Sequence, residues 1–515
     1  MQHRRGVTLA FATLAALSAG TNYVVGAYLP QVGARLHLGS LAMNVVAASG
    51  NAGVYLSGPV IGALVDKRGS QVVLVLAGGC LLVGYLGLAS LYAGGLDGLF
   101  ATAGVPALAI CQFLTGTGSS AGISAALKAT SQSFAKASRG AAMAGVLSGF
   151  GLSAFFYSSI SRVQLSPSAD PTSAFLVTLA VGCGISMFLG AAFVRPPPSP
   201  GLAARSQYEP LASSADEVSL NSGIALRADD DLAPERPGSL RRRSASPLLR
   251  KEGDAHAPHS AGDLNVSGWA LLRERDFWAL FAFLGLCSGV GLMTINNLGT
   301  VVVTLAAPDT PAAELAQAQS RLVSLLSIFN CAGRLAVGFS SDFFLHHAGP
   351  ARFARIWWLV ATASLFVVSQ VLAGQADRIS GLALPTAAVG FAYGTLFGSV
   401  PVVCLERFGM ISFSQNNGFL TLSPSVFANF SNLLFGAVYD SHVTPPTTPT
   451  PAPAPVPALA SNIKRGLAAP PAHVCALGRE CFAAAFRATT LMSLVAVALA
   501  GWLATRRSFK PVYHA

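Results

Sequence analysis

Charge is what this chain has least of. Asp, Glu, Lys and Arg make up 11% of its 515 residues, against 52% hydrophobic, and mean hydropathy is +0.55. Soluble domains carry roughly 25% charged residues. At less than half that level a water-facing surface cannot be covered, so the default class is a polytopic membrane protein. Cysteines number eight. Cys80, Cys111, Cys183, Cys287, Cys331 and Cys404 lie in apolar stretches and read as small core residues. That leaves no disulfide framework, and no zinc or redox spacing occurs. Only Cys475 and Cys481 share a polar loop, where they could pair if it faces an oxidising lumen. Metal clusters, paired carboxylates and nucleophile–base sets are missing from the apolar segments, so neither enzyme activity nor a cofactor is expected. The net charge of +11 does not point to nucleic acid. Its basic residues sit at the ends of apolar segments and in one long loop, not in a stripe with interleaved aromatics. No cleavable signal is expected, because the first apolar segment follows His3-Arg4-Arg5 and is long enough to be a span.

What is present is apolar length. A helix needs ~20 apolar residues to cross a bilayer. Twelve such windows occur: 6–29, 41–63, 71–93, 103–125, 140–161, 173–194, 277–305, 322–344, 355–373, 380–404, 415–439 and 488–505. Their Gly, Ala, Ser and Thr content suits close helix packing in lipid. The layout predicts an all-α protein: a six-helix bundle over 1–195, a central loop over 196–276, and a second six-helix bundle over 277–515 with a Pro-rich loop at 441–487. With the N-terminus in the cytosol, 24 of the 33 Lys and Arg fall on the cytosolic side and 8 opposite. The positive-inside rule therefore favours cytosolic termini and a cytosolic central loop.

The central loop is rich in Pro, Ser and charge and poor in aromatics, so disorder is expected. Ser244 and Ser246 in RRRSASPLLRK resemble basophilic-kinase sites, and Tyr208-Glu-Pro-Leu211 fits a Tyr-x-x-apolar sorting pattern. Kinase and sorting-adaptor contacts are the partners these would imply, beside a solvated linker as the plainer reading. A second class of function would use this loop: a permease-like sensor or scaffold that does not transport.

The halves repeat a short pattern. Gly62-Ala-Leu-Val-Asp66 ends the second span and Gly338-Phe-Ser-Ser-Asp342 ends the eighth. The glycine allows close helix packing, and an aspartate at the membrane surface can meet a helix terminus or a cation. Such an element can latch two helix groups in one state and release them in another. The stretch GALVDKRG, with Gly62, Asp66, Lys67 and Gly69, resembles the loop signature of the major facilitator superfamily, with Ser70 and Gln71 where two further basic residues would stand. GTNYVVGAYLPQ (20–31), the set Asn330, Gly333, Arg334, Gly338, Ser341 and Asp342, and GFAYGTLFGSVPVVCLERFG (390–409) resemble motifs of its nodulin-like, monocarboxylate-permease-homologue branch. The overall form is similar to fungal vacuolar transporters of that group. The resemblance implies a twelve-helix fold of two parallel repeats, a midplane site, transport of a small molecule by alternating access, and residence in the vacuolar membrane, with the plasma membrane as the alternative.

Candidate site residues follow. Arg334 lies inside an apolar run, and intramembrane charges usually face a cavity or a partner. In the resembling permeases a similar arginine binds the substrate carboxylate and follows an aspartate one turn earlier; here that position is Asn330. Arg334 therefore reads either as an anion contact or as a tie to helix carbonyls in the latch. Asn22, Tyr23, Asn296 and Asn297 lie in spans one and seven, which line the cavity in this superfamily, and each could equally be interhelical glue. No Asp, Glu or His lies well inside a span. Proton symport usually needs such a group, so tight proton coupling is not expected, with Glu406 at a span end as the candidate if protons are carried.

Overall fold

The computed structural model describes residues 2–38, 40–135, 138–161, 170–195, 265–307, 310–348, 355–442, 475 and 477–506. Tyr208, Ser244 and Ser246 lie outside them. Every one of the twelve windows is occupied by helix. Span one is α1 (Gln2–Ala19), a 3-10 segment (Gly20–Ala27) and α2 (Leu29–Arg35). Span two is α3 (Ser40–Leu56) and α4 (Gly58–Arg68). Spans three to six are α5 (Ser70–Gly94), α6 (Leu99–Ser133), α7 (Arg139–Ser161) and α8 (Pro171–Phe193). The short α9 (Trp269–Arg273) leads into spans seven to ten: α10 (Arg275–Leu305), α11 (Ala312–Ala348), α12 (Trp357–Gly374) and α13 (Ala383–Phe408). Span eleven is α14 (Phe413–Leu420) and α15 (Leu422–Asp440), and span twelve is α16 (Glu480–Thr505). Eight of these helices are long and apolar enough to cross a membrane unaided.

Proline explains two of the breaks. Its ring clashes with the carbonyl four residues earlier and it donates no N–H. Pro59 thus opposes Tyr55, and the chain steps between α3 and α4. Pro424 opposes Leu420, and the chain steps between α14 and α15.

Several helices run past their windows, span eight from 312 and not 322, and two of the extensions bring in basic residues used below. Lys128, which the window ending at residue 125 leaves in a loop, lies inside α6 and is 3% exposed. Hydropathy falls at this charge, but the charge is paired, so the helix continues. Span twelve starts at Glu480, not 488, which brings Arg487 into helix. The acidic first turn suits a helix N-terminus.

Alternating direction puts the ends of spans two, four, eight, ten and twelve on the same side as the start of span one. We call this side the terminus face and the opposite side the far face. Each half has its own core, one around Tyr28, Leu74, Leu81, Tyr85 and Met187 and the other around Phe277, Phe283, Phe366 and Phe408. At the terminus face Val402, Leu405 and Phe413 of the second half pack into the core of the first. The halves are closed on each other there.

Within each half, equivalent spans meet backbone to backbone. A Cβ on Gly116 of span four would stand 2.0 Å from the Gly50 carbonyl of span two. A Cβ on Gly394 of span ten would stand 2.1 Å from the Asn330 carbonyl of span eight. The repeat read from Gly62 and Gly338 therefore extends into the packing.

Candidate functional site: two latches and a polar interior

The ends of spans two and eight do the same thing. Asp66, near the end of α4, accepts hydrogen bonds from Ser414 N (3.3 Å) and Gln415 N (2.8 Å), the second and third residues of α14. Asp342, on α11, accepts from Ala141 N (2.7 Å), the third residue of α7. The first amides of a helix have no partner of their own and carry the positive end of the helix dipole. Each aspartate thus caps a helix belonging to the other half. The glycines make this possible. A Cβ on Gly62 would lie 2.2 Å from the Ser414 carbonyl, and one on Gly338 would lie 2.2 Å from the Ala144 side chain.

Each aspartate also has a buried cation. Lys128 Nζ lies 2.7 Å from Asp66 and donates to the carbonyls of Met410 (2.5 Å) and Ile411 (2.8 Å). Those carbonyls are presented by the turn at Gly409, whose φ of +92° suits glycine. Gly69, at φ +86°, ends α4 in the same conformation. Asp66-Lys67-Arg68-Gly69 and Glu406-Arg407-Phe408-Gly409 therefore share one design, an acid three residues before a left-handed glycine. Lys67 itself is exposed. In the second half Arg355, 5% exposed, pairs with both Asp342 and Glu406.

Arg334 lies two turns deeper than Asp342 and is 4% exposed. Its Nε donates to Asn330 Oδ1 (3.1 Å), its Nη1 donates to the Leu147 carbonyl of α7, and its guanidinium stands 5.7 Å from the Phe150 ring. A Cβ on Gly151 would approach it to 3.3 Å. The residue singled out from the sequence spans the contact between the halves.

The amides lie in two separate networks. Asn22 donates to Asn51 Oδ1 (3.1 Å) and accepts from Gln112 Nε2 (3.4 Å), and Gln112 accepts from the Tyr28 hydroxyl (2.9 Å). Asn297 donates to Asn432 Oδ1 (2.9 Å) and to the Met293 carbonyl (2.8 Å). Asn296 is exposed and joins neither, and the Tyr23 side chain is outside what is described. Cys475 and Cys481 are joined in a disulfide on the far face, with Cα atoms 6.1 Å apart.

A sequence profile of the Major Facilitator Superfamily matches residues 9–428. The chain belongs to the Major Facilitator Superfamily. This superfamily member is 26% identical over 474 residues to "Probable transporter MCH1" of Gibberella zeae, covering 84% of this chain and 80% of that one. It is 24% identical over 553 residues to "Probable transporter mch1" of Neurospora crassa, covering 97% and 88%. In fold it is similar to the proton:xylose symporter XylE, with a TM-score of 0.60, 10% identity and coverage of 96% and 95%. The chain is thus a secondary transporter by family, built on the twelve-helix fold that the spans predict.

Reading by motif missed three residues of this transporter. Lys128 falls outside the span-four window, Arg355 lies at the start of span nine, and Arg139, whose Nη2 donates to the Phe134 carbonyl (3.2 Å), lies just before span five; none belongs to a motif. A cation at the end of a span facing a signature aspartate is the signal that could have found Lys128.

Proposed function

We propose that this transporter moves a small polar or anionic metabolite by alternating access, with the terminus face in the cytosol. The vacuolar membrane is the residence that the likeness to fungal relatives suggests; a carboxylate is the substrate group that Arg334 supports, and short-chain monocarboxylates are suggested by the resemblance alone. The observation that carries the reading is the bond from Arg334 in one half to the Leu147 carbonyl in the other. A carboxylate entering between the halves competes for the guanidinium as a charged acceptor. Charge-assisted hydrogen bonds are roughly twice as strong as neutral ones. Substrate binding then removes one of the ties that hold the halves together. Rocking must next break the Asp66 and Asp342 caps, which are present only while the terminus face is closed. Titratable acids among the described residues gather at span ends, so facilitated diffusion or anion exchange fits better than proton coupling through an intramembrane acid.

The test is Arg334→Gln in purified protein reconstituted into liposomes. Uptake of the transported carboxylate should fall by about tenfold or more, the loss expected when a charged hydrogen bond is removed from a site. Insertion and monodispersity should be retained. Unchanged uptake would remove the anion site from Arg334.

A further inference from the structure

The far face holds a cavity of about 1090 Å³ between α12 and α16, and no part of the transport scheme uses it. Arg487, Glu480, Arg479, Asp377, Val371 and Leu491 line it. Arginines on the side away from the termini run against the charge bias of the chain, so two of them at one cavity need a reason. Arg479 has one. It donates to the Gly374 carbonyl (2.9 Å) and pairs with Asp377 (3.5 Å), which ties the start of span twelve to the end of span nine. Arg487 has no carboxylate within 4 Å among the described residues, and it is exposed.

Depth makes this a site for an amphiphile. Arg487 lies eighteen residues before Thr505, about 27 Å along the helix. The hydrocarbon core is about 30 Å thick. With the end of α16 at the terminus-face boundary, the Arg487 backbone stands about 3 Å inside the hydrocarbon boundary of the opposite leaflet, from which its long side chain reaches the phosphates. Glu480 is seven residues further out, about 10 Å towards water, and close to the same side of the helix. Inwards of Arg487 the lining is Val371 and Leu491 beside Gln370 and Thr490, whose polar groups are already hydrogen-bonded within the protein. The order from water inwards is therefore anion, cation, hydrocarbon.

We propose that this cavity binds a phospholipid whose head carries both a phosphate and a hydrogen-bonding ammonium, that is, a phosphatidylethanolamine. Its phosphate accepts from Arg487, its ammonium donates to Glu480, and an acyl chain runs along Val371 and Leu491. Phosphate on Arg487 removes the penalty of a bare guanidinium at the membrane boundary. The bound lipid also bridges spans nine and twelve beside the Arg479–Asp377 tie.

The test uses the full chain purified in detergent and washed until loosely bound lipid is gone. Retained lipid is counted by mass spectrometry, and thermal stability is measured on adding phosphatidylethanolamine, phosphatidylglycerol or soluble phosphoethanolamine. Wild type should retain phosphatidylethanolamine and be stabilised by it more than by phosphatidylglycerol. Arg487→Gln should retain about tenfold less of either lipid. Glu480→Gln should still bind lipid but lose the preference between the two. Arg487→Lys, which keeps the charge, should keep most of the response and covers the case in which Arg487→Gln fails to fold. Equal retention by Arg487→Gln, or loss of the response in Arg487→Lys, overturns the site. Equal stabilisation by phosphoethanolamine assigns the cavity to a soluble ligand and overturns the lipid.

Discussion

The two latches use one chemistry on two different mechanical supports. In both, a carboxylate near the end of a span caps the first amides of a helix in the other half, and a buried cation answers it. The Asp66 latch is carried by α4 and α14, short helices set off from the rest of their spans by the breaks at Pro59 and Pro424. The Asp342 latch is carried by α7 and α11, which run unbroken for 23 and 37 residues and are tied again two turns deeper by Arg334. The cations differ too. Lys128 has one carboxylate and two neutral carbonyls, while Arg355 has two carboxylates. One latch is hinged and depends on a single charge. The other is rigid and has a spare. Opening at the Asp66 latch can begin by moving half-helices, whereas opening at Asp342 must tilt whole ones.

That contrast orders the mutants. Asp66→Asn should have the largest effect, because it leaves Lys128 buried with neutral partners only. Removing one member of a buried pair costs about 3–5 kcal/mol, which corresponds to a hundredfold or greater shift towards the open terminus face. Ser414→Cys, at a buried position under Asp66, reports it through its rate of thiol labelling, read peptide by peptide. Asp342→Asn should do less. It weakens one cap and one arm of the Arg355 pair while Glu406 holds the other, so about 1–2 kcal/mol and roughly tenfold are expected. Ala144→Cys, beneath Gly338, is the matching reporter. Equal effects at the two sites would show that the second carboxylate gives no redundancy.

Much of this was legible in the sequence because the repeat is local. Gly62 with Asp66 and Gly338 with Asp342 are four-residue spacings on one helix, so their equivalence needs no three-dimensional knowledge. Apolar length likewise gave every span. What the helices meet across the interface was not legible. Asp66 caps a helix almost 350 residues away, and no pattern along the chain encodes that pairing. Arg334 was recognisable as unusual, but its acceptor is a backbone carbonyl, which every residue has and no sequence marks. Lys128 was hidden for a related reason. Hydropathy ends a span at a charge, yet a charge neutralised by a distant partner does not end a helix. Arg487 was hidden by the hydropathy cut alone, since its window begins one residue too late.

Glu406 gives the finest test, because it is the spare that separates the two latches. Its side chain is 40% exposed, so its pairing with Arg355 is screened by water. Pairs in that setting contribute about 1 kcal/mol or less. Glu406→Gln should therefore speed labelling at Ala144→Cys by less than Asp342→Asn does. Combined with Asp342→Asn it should remove the redundancy and bring the second latch close to the behaviour of Asp66→Asn, since both carboxylates that pair with the buried Arg355 are then neutral amides. The same variant examines the proton. Glu406 lies at the end of span ten among the latch residues, away from the polar interior, so it is poorly placed to carry a proton along the path. Uptake driven by an imposed pH gradient in vesicles should thus persist in Glu406→Gln at whatever level wild type shows. Its abolition would move Glu406 from the latch to the coupling mechanism and sink the reading of this protein as a carrier without an acid in its path.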